Sequence, residues 1–335
     1  MCGIFGLIGN VPKEQQTNAF SFLDSLFHVS VSRGKDASGF AAIHKGKGWG
    51  LIVDKRPLPS PKFTKRSEQF RALRRNMPSI FIGHTRQTTN GDPKKNRNNH
   101  PFNSSRYSMV HNGAITDYED LKKQKNIKTR IETDSALLLN ILDENNDAID
   151  GFKDILSSTK ESSAMAIALL EHKDTSDPRL FLFRNPYRPL YILTSDVMNC
   201  MFFASTEEII KMALKRSFGA NLATDDILAK FEMDITEYPE YKFCELGLNR
   251  INNFYIVREE TLEKPKEKTY LPVKTNYYSS HNLSSSTVPT AVLDGPVSEL
   301  RKEALASAKI CKLLQTSPYM TDEEVSHWRK WMFEV

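Results

Sequence analysis

The second residue of the chain is a cysteine, and a short apolar run that contains glycines follows it at once. The run from Ile4 to Ile8 is typical of a buried strand, which would hold the chain end rigidly. Methionine removal is usual before a small residue, so we expect the mature chain to begin with Cys2. One residue would then carry a thiol of pKa about 8.5 and an α-amine of pKa about 7.7–8.0. Such a terminus can act as a nucleophile with its own amine as base. The alternative is a cysteine that merely begins a core strand.

The composition excludes several classes of protein. The 335 residues allow one domain of about 250 residues with an appendage, or two smaller domains. The 46 basic and 41 acidic residues are too balanced to predict a nucleic-acid partner, although they do not exclude a local basic patch. The four cysteines form no C-x-x-C pair, which fits a reducing compartment. No run reaches about 18 apolar residues, and no signal pattern is present. We therefore expect a cytoplasmic protein with no membrane partner, metal or other cofactor.

The order of the predicted elements indicates an α+β protein. Helical spacing of apolar residues appears in residues 14–32, 118–125, 135–143 and 207–214. Strand patterns appear in residues 4–8, 40–43, 49–53, 79–83, 107–110, 163–170, 180–183, 190–193, 201–204, 241–246 and 253–257. Residues 55–66 contain three prolines and are expected to form a surface loop. Strands early and late with helices between them predict two stacked sheets covered by helices.

The composition changes after Arg258, which places the end of the first domain there and gives it the bounds 2–258. Residues 259–294 are rich in Lys, Glu, Ser, Thr and Pro, and we expect a linker or extended arm. Residues 295–335 are expected to form a helical extension with helices over 297–315 and 322–333. These helices either pack back on the first domain or dock a partner.

Four further stretches place polar residues at predicted strand ends, as Cys2 does. They are residues 33–39 (R-G-K-D-A-S-G), 83–91 (G-H-T-R-Q-T-T-N-G), 111–113 (H-N-G) and 132–134 (E-T-D). With Cys2, and in this order, the set resembles the class II glutamine amidotransferases over residues 2 to about 210. The resemblance implies the N-terminal-nucleophile (Ntn) hydrolase fold, a four-layer αββα sandwich of two antiparallel sheets. It also implies hydrolysis of the side-chain amide of L-glutamine to glutamate and ammonia through a thioester on Cys2.

Amide cleavage of this kind needs a nucleophile, a proton shuttle and donors for the developing oxyanion. Cys2 would supply the first two through its thiol and its α-amine. The side-chain amide of Asn112 and the backbone N–H of Gly113 resemble the family's oxyanion pair. Taken alone, an Asn-Gly pair is equally typical of a type I′ hairpin turn.

Glutamine is a zwitterion, so its pocket needs both a cation and an anion. Arg86 resembles the family arginine that binds the substrate carboxylate, for which a planar fork is well suited. Asp134 resembles the residue that holds the α-ammonium, with a simple helix N-cap as the alternative. Arg33 resembles the arginine that supports the catalytic terminus, and Thr89 is expected to add a hydroxyl contact. The alternative for either arginine is a surface ion pair.

The sequence departs from the family pattern at two positions of the 83–91 stretch. Gln87 and Asn90 stand where members that aminate sugar phosphates carry Trp and His. This departure concerns the closing of the loop over glutamine and the class of acceptor, but not the cleavage chemistry. The histidines at 84, 100 and 111 have no metal-ligand spacing and are interpreted as structural.

About 77 residues follow Arg258 (335 − 258), too few for a sugar isomerase or phosphoribosyl-transfer domain. No S-G-G-x-D-S or G-x-x-x-x-G-K-[ST] phosphate loop is present either. We therefore expect a free-standing glutaminase-type member that passes ammonia to a separate synthetase. Two alternatives stay open: a hydrolase of another γ-glutamyl amide, and a degenerate amidotransferase that serves as a binding or scaffold protein. The sequence does not determine the oligomeric state.

Overall fold

The computed structural model describes residues 2–45, 49–172, 177–248 and 254–264. The strands are β1 (Gly3–Gly9), β2 (Ala37–Lys45), β3 (Trp49–Arg56), β4 (Ile80–Arg86), β5 (Phe102–Asn103), β6 (Tyr107–Ala114), β7 (Ala164–Glu171), β8 (Arg179–Arg184), β9 (Tyr191–Ser195), β10 (Cys200–Ala204), β11 (Met233–Glu237), β12 (Lys242–Leu248) and β13 (Phe254–Thr261). The helices are α1 (Gln16–Val29), α2 (Ser60–Arg66), α3 (Glu68–Ala72), α4 (Tyr118–Gln124), α5 (Asp134–Glu144), α6 (Ala148–Ser158), α7 (Glu207–Phe218) and α8 (Thr224–Lys230). Short 3-10 turns flank α1 at Lys13–Gln15 and Ser30–Ser32, and another covers Asn96–Asn98.

The strands form two antiparallel sheets. The first has the order β11-β9-β10-β1-β4-β2-β3, and the second has the order β13-β12-β8-β7-β6-β5. Strand β1 lies in the middle of the first sheet, where Phe5 pairs with Ala204 of β10 and Gly3 pairs with Thr85 of β4. The residue next to Cys2 is therefore held by its pairing with β4, in a strand that has neighbours on both sides.

Three hydrophobic clusters show that the sheets and helices form four layers. One cluster joins the first sheet to α1, α7 and α8, and a second joins the second sheet to α4, α5 and α6. The third lies between the two sheets and is built from strand residues of both. The αββα sandwich implied by the family resemblance is confirmed.

Strand β1 shows why a continuous apolar run is needed at the centre of such a sandwich. Successive side chains of a strand point to opposite faces. Phe5 and Leu7 accordingly pack in the helix-side cluster, while Ile4 and Ile8 pack between the sheets. Because both faces are covered, the strand has no solvent side on which to place polar residues.

The expectation of a surface loop over residues 55–66 is wrong. Strand β3 continues to Arg56, and α2 begins at Ser60. Pro59 is the N-cap of α2 and Pro61 lies in its first turn, where a missing N–H costs nothing. The prolines therefore begin a helix, and Phe63 anchors that helix in the core.

The helices α3, α6 and α8 and the strand β11 are not among the elements predicted from sequence. A signal was present for α6, because Ile149, Phe152 and Ile155 have helical spacing and are all buried. The Asp147 side chain also caps this helix by accepting from the Ile149 N–H at 3.2 Å. The short elements α3, α8 and β11 give weaker patterns of five to seven residues.

Strand β13 runs through residue 258 to Thr261. From residue 265 onward, the expected linker and the helices over 297–315 and 322–333 lie outside the described residues. Within the described part of the chain, no helix is long and apolar enough to cross a membrane.

Candidate active site

Cys2 lies directly before β1 and is half-buried. Its Sγ donates to the Gln87 carbonyl at 3.5 Å, and its own carbonyl accepts from Arg33 Nε at 2.9 Å. Burial raises the pKa of the Cys2 thiol; the Arg86 charge opposes this rise and the Asp134 charge adds to it. The thiol is therefore protonated near neutral pH, and a base must take its proton before it can attack.

The 33–39 stretch forms the support behind Cys2. Gly34 packs so closely that a Cβ there would lie 2.3 Å from the carbonyl carbon of Arg86. The Asp36 N–H donates to the Arg86 carbonyl at 3.0 Å, and its carboxylate accepts from the Thr88 N–H at 2.7 Å. Sequence reasoning gave Asp36 no role, yet this residue shapes the start of the loop after β4.

Arg86 ends β4 and is 4% exposed, so it is not part of a surface ion pair. Its Nη1 donates to Asn99 Oδ1 at 2.7 Å, and its Nη2 donates to the carbonyls of Gly91, at 3.1 Å, and Asn90. Burial lowers the pKa of the guanidinium, and the Cys2 and Asp36 charges oppose this. These bonds use three of its five donors, which leaves Nε and one Nη1 hydrogen for a ligand.

Asn112 and Gly113 lie within β6 and pair with Ala166 and Met165 of β7. The hairpin-turn alternative is therefore wrong. Asn112 is buried, and its Nδ2 has no hydrogen-bond partner within the described residues. Since an unsatisfied buried donor costs about 1–3 kcal/mol, this N–H is a group that a ligand oxygen would satisfy.

Gly113 is required by close packing. A Cβ at this position would lie 1.9 Å from the Ala164 carbonyl oxygen and 2.3 Å from His111 Nε2. No other residue fits without displacing the strand, so the backbone of Gly113 can approach a ligand where a side chain would intervene.

Asp134 is the first residue of α5, and its N-cap is Thr133, which makes no side-chain cap bond. The N-cap alternative for Asp134 is therefore wrong. Its Oδ2 accepts from the Ile115 N–H at 2.9 Å and its Oδ1 from the Ser135 N–H at 2.8 Å. The first of these bonds ties the carboxylate to the end of β6, two residues beyond Gly113.

The predicted site residues differ in how closely the fold associates them with Cys2. Arg33 contacts Cys2 directly, and Arg86 and Asp134 both perturb the Cys2 thiol electrostatically. Strand β6, which carries Asn112 and Gly113, contacts β1 and β4 across the two sheets. Thr89 is the exception, because it is exposed on the loop and its hydroxyl makes no hydrogen bond in the described part of the chain.

Sequence reasoning missed the contacts that hold the 87–99 loop. Glu132 accepts from Lys95 Nζ at 2.7 Å and from Asn98 Nδ2 at 3.1 Å. Asn99 is fully buried, and besides accepting from Arg86 it donates to the Pro93 carbonyl at 2.8 Å. The run of asparagines at 96, 98 and 99 was a signal for these contacts, but sequence does not identify their partners.

Asn99→Ala is expected to raise the KM for glutamine about tenfold and to change kcat little. The variant removes the acceptor that positions Arg86, and a hydrogen bond to a charged group is worth about 1.5–3 kcal/mol. Steady-state kinetics will measure the two constants. Asn103→Ala is the matched control, because Asn103 bonds Pro101 and Ser108 but not Arg86. Equal KM values for the two variants, or a loss confined to kcat, would contradict the role of Asn99.

Three buried histidines lie behind the site. The rings of His84 and His100 stack at 3.9 Å, and His111 Nδ1 lies 3.0 Å from Ser135 Oγ. Burial lowers the pKa of His84 to about 3 and that of His100 well below its usual 6.5, and it also lowers the pKa of His111. In the described residues, no group of three or more His, Cys, Asp or Glu side chains could hold a metal ion.

These histidines predict a loss of stability in acid. Their folded-state pKa values lie below the unfolded value of about 6.5, so below that pH the unfolded chain binds protons that the folded chain does not. For His84, the loss between about pH 6.5 and 5 is about 2 kcal/mol. Urea unfolding at about pH 7.5 and pH 5 will measure it. His84→Gln should reduce the pH dependence; equal stability at both pH values would contradict the assignment.

Comparison with known proteins agrees with this geometry. A model of the glutamine amidotransferase domain matches residues 84–212. A 7-cyano-7-deazaguanine synthase from Saccharolobus solfataricus is 27% identical over 212 residues, which cover 62% of this chain and 43% of the relative. A glutamine–fructose-6-phosphate aminotransferase from Halalkalibacterium halodurans is 30% identical over 211 residues, which cover 59% of this chain and 31% of the relative.

Among solved structures, the glutamine phosphoribosylpyrophosphate amidotransferase of B. subtilis shares the fold, with a TM-score of 0.52 at 20% identity over 78% of this chain and 49% of that one. The chain thus spans less than half the length of these relatives. The two-sheet architecture defines the fold as that of an Ntn hydrolase. The match over residues 84–212 and the shared fold both agree with the resemblance to the class II glutamine amidotransferases.

Proposed function

We propose that this chain hydrolyses the side-chain amide of L-glutamine to glutamate and ammonia through a thioester on Cys2, and that a separate synthetase uses the ammonia. One observation carries the proposal. The Cys2 thiol donates to the Gln87 carbonyl, Arg33 holds the Cys2 carbonyl, and the opposite charges of Arg86 and Asp134 both act on the thiol. A nucleophile, a cation and an anion in one place are what a zwitterionic amide substrate requires.

The reaction begins at the α-amine of Cys2, which is free once Met1 has been removed. The amine takes the thiol proton, and Sγ attacks the amide carbon of glutamine. Because burial raises the pKa of the thiol, this proton transfer is needed for reaction near neutral pH. The amine then returns the proton to the departing ammonia, and water cleaves the thioester to release glutamate.

The oxyanion formed by each attack is stabilised by Asn112 Nδ2 and by the backbone N–H of Gly113. The first donor is buried and unpartnered within the described residues, so it need not break a bond before it acts. Preorganised donors of this kind act most strongly where water is excluded.

Substrate recognition uses the two charges beside Cys2. Arg86 binds the α-carboxylate with the donors that its loop contacts leave, and Asp134 binds the α-ammonium. Arg33 holds the catalytic terminus through the Cys2 carbonyl, and Thr89 adds a hydroxyl after a local movement of its exposed loop. The same proposal places the enzyme in the cytoplasm, where reduction keeps Cys2 a thiol.

The test is a substrate panel that measures kcat/KM for glutamine, asparagine and γ-glutamyl amides substituted on the amide nitrogen. The proposal predicts that glutamine is hydrolysed best and that affinity capture from the native cell recovers an ammonia-consuming synthetase. A strong preference for a substituted γ-glutamyl amide would instead identify a hydrolase with no acceptor. Failure to hydrolyse any member would favour a degenerate binding protein.

A further inference from the structure

A ridge of positive charge covers the outer side of α2, α3 and the turn that follows them. It consists of six exposed residues, which we call the basic ridge: Lys62, Lys65, Arg66, Arg71, Arg74 and Arg75. Glu68 is the exposed acidic residue among them. The ridge lies on the helix layer of the first sheet, and none of the residues assigned to glutamine cleavage belongs to it.

The spacing of the ridge residues places each set of three on one side of its own helical segment. The cations at 62, 65 and 66 follow an i, i+3, i+4 pattern, and those at 71, 74 and 75 repeat it. Backbone bonds Arg74 N to Arg71 O and Arg75 N to Ala72 O continue the helical turn beyond α3. The opposite face carries the buried side chains of Phe63, Phe70 and Leu73, which fix both helices to the core.

The ridge concentrates the positive charge of the protein. Residues 60–75 contain the six ridge cations and one Glu, a net charge of +5, which equals that of the whole chain. The remainder of the chain therefore has a net charge of 0 (5 − 5). The balanced total that argued against a nucleic-acid partner conceals this asymmetry.

None of the six ridge cations forms an ion pair within the described residues. Elsewhere on the described surface, some cations do: Lys95, Lys153 and Lys211 are each within 2.8 Å of a carboxylate oxygen. Besides Glu68, Asp24 lies near the ridge, and the charges of Arg216 and Arg74 both act on its carboxylate. Six like charges kept together without partners favour an external polyanion as their ligand.

Beyond Arg75, the basic surface continues into a cavity of about 460 Å³ at the Gly9 end of β1. Lys13, His44 and Arg75 line this cavity together with several amide side chains, and its lining contains no acidic residue. The positive surface thus extends past α3 to the end of the first sheet opposite Cys2.

The ridge has no exposed large apolar side chains, and this further defines the kind of partner it fits. No large apolar side chain is exposed between residues 55 and 76, whereas protein interfaces carry aromatic or apolar anchors at their centre. A surface of Lys and Arg alone matches a phosphate backbone, which is bound through charge and without reading of sequence. We propose that the basic ridge binds the phosphodiester backbone of a nucleic acid.

Fluorescence anisotropy with the full chain tests this proposal, using labelled DNA and RNA duplexes of about two helical turns and a single strand of equal length. If all six cations contact phosphates, log K for duplex DNA should fall against log salt with a slope of about −5. The triple variant Lys62→Gln/Arg66→Gln/Arg71→Gln should flatten that slope by about 2.7 and bind at least about tenfold more weakly. Its glutamine hydrolysis should be unchanged, which shows that it is folded.

The matched control is Lys123→Gln/Lys128→Gln/Lys230→Gln, which removes the same charge from exposed lysines elsewhere. It should retain the affinity and slope of the unmodified chain. An equal loss in both triple variants would show a mere total-charge effect and overturn the proposal. So would failure to bind any nucleic acid at about 50 mM salt, or ridge-dependent binding to phosphatidylserine vesicles or an acidic protein alone.

Discussion

Cys2→Ala is expected to lower kcat for glutamine hydrolysis by at least about 10⁴-fold. The substitution removes the sulfur that forms the thioester, and loss of a catalytic nucleophile has effects of this size. Cys2 is half-buried and its side chain makes one long hydrogen bond, so the fold should be retained. Release of glutamate, followed with a coupled assay, will measure the loss.

Two further cysteine variants sharpen this experiment. Cys244→Ser changes a buried thiol of the second sheet and should keep full activity. Cys2→Ser retains a hydroxyl, which is a weaker nucleophile than a thiol, and should leave only a small residual rate. Turnover by Cys2→Ala at the rate of the unmodified chain would refute the thioester mechanism.

Asn112→Ala should lower kcat by about 10²–10³-fold while KM for glutamine changes little. The reason is that the Asn112 amide would act on the oxyanion, which exists only after the thiol has attacked. Because its Nδ2 has no partner within the described residues, removing it should cost the free enzyme little stability.

Chemical denaturation of the same preparation separates these effects. We expect a change in unfolding free energy of about 1 kcal/mol or less beside a loss in rate equivalent to about 3–4 kcal/mol. A loss of stability as large as the loss in rate would indicate that Asn112 is a structural residue. A rise in KM with unchanged kcat would place it in ground-state binding instead.

The sequence predicted the core strands because both faces of each are covered. The run from Ile4 to Ile8 and the strand before His84 are apolar throughout, and no other element explains so short a continuous run. Helix α2 was missed for a different reason. Prolines are common both in loops and in the first turn of a helix, so their presence does not distinguish the two. The packing of the residues that follow does distinguish them, and here Phe63 is buried in the core.

The candidate site likewise has residues that the sequence predicted and contacts that it could not predict. Motif order alone selected Cys2, Arg86 and Asp134, whose charges the fold does couple. The contacts around them could not be predicted, because Asn98 and Glu132 meet across 34 positions of the chain. A local pattern carries no information on such a pairing. The same limit explains why Asn112 and Gly113 suggested a turn, although β7 pairs with both and makes them part of a strand.

Peptide mapping by mass spectrometry, after incubation with a glutamine analogue that carries an electrophilic carbon in place of the amide, will identify the nucleophilic sulfur. We expect one adduct per chain, on the sulfur of an N-terminal Cys2 from which Met1 is absent, and slower labelling when glutamine is present. Labelling of another cysteine instead, or a Cys2 that still follows Met1 in an active preparation, would contradict this expectation.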